Sequence, residues 1–188
     1  MLSDQHRAIL LDTAWQSIRH GLKHHSPQTV AAEQYAAPLS EPGASFITLH
    51  KEGELRGCIG SLQAYRPLLQ DVAENAYAAA FRDHRFPPLR TDELDQLTMH
   101  ISVLSAAQPL QFASEQDLLR QIRPQVDGLI LQDGIHRGTF LPSVWESLPD
   151  PAEFLQHLKL KAGLPPDHWS EQLQVWRYTT ESFGDNHK

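Results

Sequence analysis

The sequence predicts an α+β fold: a mainly antiparallel sheet with helices packed on it, in a single domain spanning residues 1–188. Two hairpin patterns carry that reading. In the first, Ser45–His50 and Leu55–Ser61 flank the turn Lys51-Glu52-Gly53-Glu54. In the second, Gly128–Gln132 and Gly138–Leu141 flank Asp133-Gly134, a dipeptide that favours a tight reversal between strands. The helical patterns are dispersed between these hairpins and do not alternate regularly with strands, which favours an antiparallel sheet over a βαβ arrangement.

Taken in order, residues Asp4 to His24 repeat Ile9, Leu10, Thr13, Ala14, Ser17, Ile18 and Leu22 at helical spacing, one apolar stripe on an amphipathic helix. A polar connection with Pro27, Pro38, Pro42 and Gly43 follows. Phe46, Ile47 and Thr48 make Ser45–His50 a strand, and Leu55–Ser61 returns beside it. Pro67 suits the first turn of the next helix, where a missing N–H costs nothing. Leu68, Leu69, Val72, Ala76 and Ala79-Ala80 carry its buried stripe through Arg82. Pro87-Pro88 closes that region, and Thr91 is expected to cap a short turn at Asp92–Leu94. In Leu97–Ser105, Met99, Ile101 and Val103 alternate with His100 and Ser102, as in a half-buried strand. Ser114 is expected to cap a short helix through Ile122. Ala152–Lys161, after Pro151, reads as a helix closed by Gly163, and Leu173–Thr180 as the last strand.

Composition narrows the function classes. The chain is 40% hydrophobic and 21% charged, values of a globular protein. No apolar run approaches the roughly 18 residues of a membrane span. The start, MLSDQHRAIL, lacks the features of a signal peptide, so the expected location is the cytoplasm. Sixteen Lys and Arg against 23 Asp and Glu give a net charge of −7. A phosphate-tracking surface needs clustered cations, so nucleic acid is not an expected partner. A single cysteine makes no internal disulfide and no cysteine-rich zinc site, and it excludes a radical iron–sulfur role for this chain itself. Dinucleotide fingerprints, phosphate-binding loops and the Gly-x-Ser-x-Gly elbow are absent.

The most site-like stretch is Leu55-Arg56-Gly57-Cys58-Ile59-Gly60-Ser61. Two glycines within a strand weaken it unless another backbone or a ligand must approach closely. Cys58 lies between them. Arg56 two residues earlier could raise the thiolate fraction, and in a strand the two would share a face if no bulge intervenes. The opposing reading makes Cys58 a small buried hydrophobe and the glycines an aid to tight packing.

A second constellation, Phe81 to Arg90, holds Arg82, Asp83, His84 and Arg85 among aromatics. It reads either as an anion pocket or as an Arg82–Asp83 pair at a helix end with Phe81 and Phe86 anchoring the loop. If the loop folds over Leu55–Ser61, His84 is the best base for Cys58. The candidate catalytic residues are therefore Cys58, Arg56 and His84, and the candidate binding residues Gly57, Gly60, Ser61, Arg82, Asp83 and Arg85. His20 and His24 have a spacing that can serve one metal, yet no acid completes a motif, and no metal or other cofactor is expected. Trp145, Trp169 and Trp176 read as packing residues.

The string Leu55–Ser61 resembles the LRGCIG signature of the AMMECR family (Alport syndrome, mental retardation, midface hypoplasia and elliptocytosis chromosomal-region proteins), whose prokaryotic form is called AmmeMemoRadiSam system protein A. Phe46–Leu49, Asn75-Ala76, Ala79–Phe81, Asp83, Arg85–Leu89, Ile101–Leu104, Asp127–Leu129, Thr139–Pro142, Trp145, Phe154-Leu155, Lys161–Gly163, Trp169 and Tyr178 match in order across nearly the whole chain. The resemblance departs at His100, where the family commonly has an acidic residue. It implies a larger and a smaller lobe, with the signature near a cleft between them. It also implies association with a Memo-like protein and a radical S-adenosylmethionine enzyme, and it supplies no reaction. Two expectations compete: an accessory protein docking on such partners, or an enzyme using Cys58 as nucleophile on a small anionic ligand, a nucleotide or a protein.

Overall fold

The structure is a computed structural model and describes residues 2–185. In chain order its first elements are α1 (Asp4–His24), β1 (Pro42–Gly43), β2 (Ser45–Lys51), β3 (Glu54–Gly60), β4 (Arg66–Pro67), α2 (Leu68–Phe81) and β5 (Leu97–Leu104). They are followed by β6 (Gln108–Pro109), α3 (Glu115–Gln121), β7 (Gly128–Asp133), β8 (His136–Phe140), α4 (Pro151–Lys161), β9 (Gln174–Tyr178) and β10 (Thr180–Asp185). The fold is α+β, as the sequence predicts. Its residues divide into two compact units, one running to Leu104 and resuming at Glu181, the other Ser105–Thr180.

The first unit is a sheet of order β10-β5-β2-β3 beneath α1 and α2. Alternation sets the faces: Ile47 pairs with Ile101 and Leu49 with Met99, and all four are fully buried. They pack with Leu69, Val72 and Ala76 of α2 and Leu10, Ala14 and Ile18 of α1, each large apolar side chain contributing about 1.5–3 kcal/mol. The residues between them, Phe46, Thr48, His50, Thr98, His100 and Ser102, turn to the opposite face and are half-buried or exposed. α1 begins at Ser3, whose hydroxyl accepts the His6 N–H at 3.2 Å. No helix among the described residues is long and apolar enough to cross a membrane.

The second unit has a sheet of order β6-β9-β7-β8. Leu129, Leu131 and Val175 from its strands are buried with Leu118 of α3 and Phe154, Leu155 and Leu158 of α4. Trp145 stacks on Phe154 with ring centroids 3.8 Å apart and donates from Nε1 to the Asp127 carbonyl at 2.7 Å.

Two local expectations are corrected. Thr91 does not cap its turn: it is the first residue of a 3-10 turn, Thr91–Gln96, and Arg90 in the capping position donates its N–H to Glu93 Oε2 at 3.0 Å. The expected strand Leu173–Thr180 forms as β9, but it is not the last: a further strand follows it in a different sheet. β9 ends at Tyr178, and β10 joins β5. β10 carries one core residue, Phe183, beside Glu181 and Asp185. These two acids face α1, where Glu181 accepts from Arg7 at 2.7 Å and Asp185 from the Trp15 indole at 3.0 Å. A strand whose inward side is mostly acidic has no apolar alternation to reveal it.

Candidate functional site

The stretch Leu55–Ser61 forms β3, the edge strand of its sheet. Leu49 pairs with Gly57 but His50 with Leu55, which leaves Arg56 as the extra residue of a β-bulge. The bulge breaks the alternation that would place Arg56 beside Cys58. Arg56 is instead buried, its Nε and Nη2 donating to Glu93 Oε1 and Oε2 at 3.0 and 2.9 Å and Nη2 also to the Pro87 carbonyl at 3.0 Å. Lys51 reaches the same carboxylate at 3.2 Å. Hydrogen bonding from Arg56, joined by the Arg90 N–H and Lys51 and outweighing burial, holds Glu93 down at about 2.

Both glycines are required by close approach. A Cβ on Gly57 would lie 2.1 Å from the carbonyl oxygen of Ala79, where the end of α2 rests on the strand backbone. A Cβ on Gly60 would lie 2.3 Å from the ring of Phe46. The approaching groups are the protein's own.

Cys58 is half-buried. Its Sγ lies 3.3 Å from Thr48 Oγ1 across the β2–β3 pair. Because β3 is an edge, the Cys58 N–H has no strand partner on its outer side, and Asp83 supplies the acceptor: Oδ2 takes that N–H at 2.9 Å. The buried Asp83 also accepts from Arg85, through Nη2 at 2.7 Å, Nε at 2.9 Å and the backbone N–H at 3.2 Å. Arg85 Nη2 in turn reaches the Cys58 carbonyl at 3.4 Å. Asp83 and Arg85 thus cap both polar groups of one edge residue, a device that protects an open strand edge. The bond from Arg85, supported by the two backbone N–H groups, holds the Asp83 carboxyl well below the usual range against the opposing effect of burial.

The structure therefore brings Cys58, Asp83 and Arg85 together and sends Arg56 to Glu93. His84 is exposed and makes no side-chain hydrogen bond among the described residues. Arg82 is exposed with its guanidinium 5.0 Å from the Tyr77 ring centroid, and Asp83 pairs with Arg85 in its place. Phe86 lies under both Arg56 and Arg85, at 6.0 and 5.5 Å.

Ser61 belongs to a buried network centred on Asp71, a residue sequence reasoning passed over. Asp71 is fully buried. Its Oδ2 accepts from Ser45 N, Ser45 Oγ and Asn75 Nδ2 at 2.8, 2.7 and 2.9 Å. Its Oδ1 accepts from Ser61 Oγ at 2.7 Å and Arg66 Nε at 2.9 Å. The one available signal was an Asp and an Asn four apart on the apolar side of α2. Glu93 had no comparable signal.

His100 stands beside Thr48 in the register of β2 and β5. Its ring is 5.9 Å from that of His50 and lies where a Cβ on Gly184 would be. Burial, with the His100 ring nearby, lowers the His50 pKa. Among the described residues no group of three or more His, Cys, Asp or Glu could hold a metal ion. His20 and His24 lie against each other, ring centroids 4.3 Å apart.

Comparison with known proteins gives this geometry a family. The AMMECR1 family model matches residues 11–183. The chain belongs to the AMMECR1 family. Protein MJ0810 of Methanocaldococcus jannaschii is 36% identical over 162 residues, covering 82% of this chain and 79% of that protein. A protein of Thermotoga maritima is 36% identical over 168 residues, covering 88% and 89%. The crystal structure of uncharacterized protein PH0010 from Pyrococcus horikoshii aligns with a TM-score of 0.85 at 33% identity, covering 94% of this chain and 90% of that one.

In this AMMECR1 protein the ionic groups around β3 are matched internally, Arg56 to Glu93 and Asp83 to Arg85. The Cys58 N–H donates to a carboxylate, so it is not offered to an incoming oxyanion. What the arrangement presents outward is a thiol beside a threonine hydroxyl and a clamped strand edge.

Proposed function

We propose that this AMMECR1-family protein is a non-catalytic accessory protein acting with a Memo-like protein and a radical S-adenosylmethionine enzyme, through the surface formed by β3 and its Asp83–Arg85 clamp. One observation carries the reading: the charged groups that could activate Cys58 are already bound to each other, and the hydrogen-bond partner of its Sγ is the neutral Thr48 hydroxyl. A nucleophilic thiol needs an adjacent base or cation directed at the sulfur.

The test is co-purification of tagged full-length protein with the two partners, paired with the pH dependence of Cys58 alkylation by iodoacetamide. The proposal expects Cys58→Ser to retain the partners and the folded protein to be alkylated no faster than the unfolded chain at any pH. A folded thiol alkylated far faster than the unfolded one, with partners or phenotype lost in Cys58→Ser, would overturn it. That result would favour the second reading, an enzyme using Cys58 on a small anionic substrate or on a protein or nucleotide. The support for that reading is the half-buried thiol with the Arg85 guanidinium beside its carbonyl.

A further inference from the structure

The second unit contains a charge arrangement unrelated to β3. Arg177 lies on β9, paired in register with Gln108 of β6 on one side and Leu129 of β7 on the other. Cross-strand partners share a face, and Leu129 is fully buried among the helices. Arg177 therefore extends the core-facing row of the sheet to its edge. Arg177 is half-buried there, yet among the described residues its side chain has no ion pair and no hydrogen bond.

Arg123 follows α3 on the tight turn leading into β7, and Asp127 holds it rigidly. The buried Asp127 accepts the Arg123 N–H at 2.9 Å, Nη2 at 2.6 Å and Nε at 3.0 Å. Arg123 and Arg177 line one pocket of about 310 Å³ with Ser105, Gln108, Tyr178 and Thr179. The neutral groups there are already satisfied where they are buried. Ser105 Oγ accepts the Thr179 N–H at 2.9 Å, and the Tyr178 hydroxyl donates to the Phe140 carbonyl at 3.0 Å. Of the two guanidinium groups at the pocket, Arg123 is matched by Asp127, and Arg177 has no ion pair among the described residues. In a chain of net charge −7, a cation left without a counter-charge on a rigid strand is a pre-organised place for an anion.

We propose that this pocket binds a small molecule through a carboxylate or phosphate oxyanion, with Arg177 as the forked donor and Arg123 as the supporting charge. Its volume lies at the lower end of the range for small-molecule sites. Arginine is suited to the task because its fixed fork matches either oxyanion with two parallel hydrogen bonds.

The experiment is an NMR titration of the full-length 15N-labelled protein with sodium phosphate and, separately, sodium acetate, at ionic strength held constant with chloride so that general screening does not change. The expected result is a saturable shift of the Arg177 Nε–H and of the Gln108 and Thr179 backbone amides with at least one of the two anions. Saturation by acetate alone assigns a carboxylate ligand, and by phosphate alone a phosphate. Arg177→Gln should abolish the response. Arg177→Lys, which keeps the charge and loses the fork, should weaken it by at least roughly tenfold; this second variant carries the test should Arg177→Gln fail to fold. Shifts that do not saturate with either anion, or that persist unchanged in the Arg177 variants, overturn the proposal.

Discussion

The backbone N–H of Cys58 donates to the Asp83 carboxylate at 2.9 Å, so the edge of the sheet at its cysteine is closed by a side chain 25 residues further along the chain. Removing the clamp should loosen that edge specifically. Asp83→Ala leaves the Cys58 N–H and the Arg85 guanidinium without their acceptor and should cost about 2–3 kcal/mol in urea unfolding. Amide exchange at Cys58 should accelerate in the variant, while Ile47 and Met99 in the central strands stay protected.

The two glycines of β3 should respond differently to the same substitution. Gly57→Ala drives a methyl against the Ala79 backbone carbonyl, which cannot step aside without moving α2, and should cost about 3 kcal/mol or more. Gly60→Ala meets the Phe46 side chain first. Its penalty should be relieved in the double variant with Phe46→Leu, a coupling that a double-mutant cycle of unfolding free energies would register.

Acid should weaken the same region. Glu93, at about 2 when folded, and Asp83, held below its ordinary value, both lie under their unfolded values of about 4.3 and 3.9. A lowered folded value means that the stabilising contribution is complete above the unfolded value and is lost as pH falls through the folded one. Urea midpoints should therefore fall from about pH 4.5 downward. Glu93→Gln and Asp83→Asn should each be less stable at neutral pH and show a shallower acid loss.

The Asp71 network predicts a larger effect. Asp71→Ala strips five hydrogen bonds from one fully buried carboxylate and leaves Arg66 without the counter-charge it pairs with. Breaking a buried charged cluster from one side costs about 3–5 kcal/mol, which thermal unfolding would read directly. Cys58→Ser, with a half-buried sulfur whose partner is already a hydroxyl, should stay within about 1 kcal/mol of the parent.

The elements were legible in the chain to different depths. The seven-residue apolar stripe of α1, the Pro67 start of α2 and the alternation in β5 each express contacts among residues three, four or two positions apart, and all three elements form where the sequence places them. Asp133-Gly134 likewise marks its own hairpin, because a reversal is decided by the residues that make it. β10 escaped notice because its inward side, Glu181-Phe183-Asp185, is satisfied by Arg7 and Trp15 of α1, some 170 residues away.

The candidate site divides in the same way. By itself the sequence determined that residues 55–61 form a strand with one cysteine and two glycines, and that a charged, aromatic loop follows α2. Only the tertiary structure decided what those residues do: a bulge at Arg56 turns it to Glu93, and Asp83, not His84, reaches Cys58. Local spacing encodes periodicity and turns, which depend on near neighbours. Which partner each group takes, 25 residues away for the Cys58 N–H and Asp83 and 37 for Arg56 and Glu93, is settled by competition among many acids and donors of equal chemistry, and packing alone brings one pair within hydrogen-bond reach.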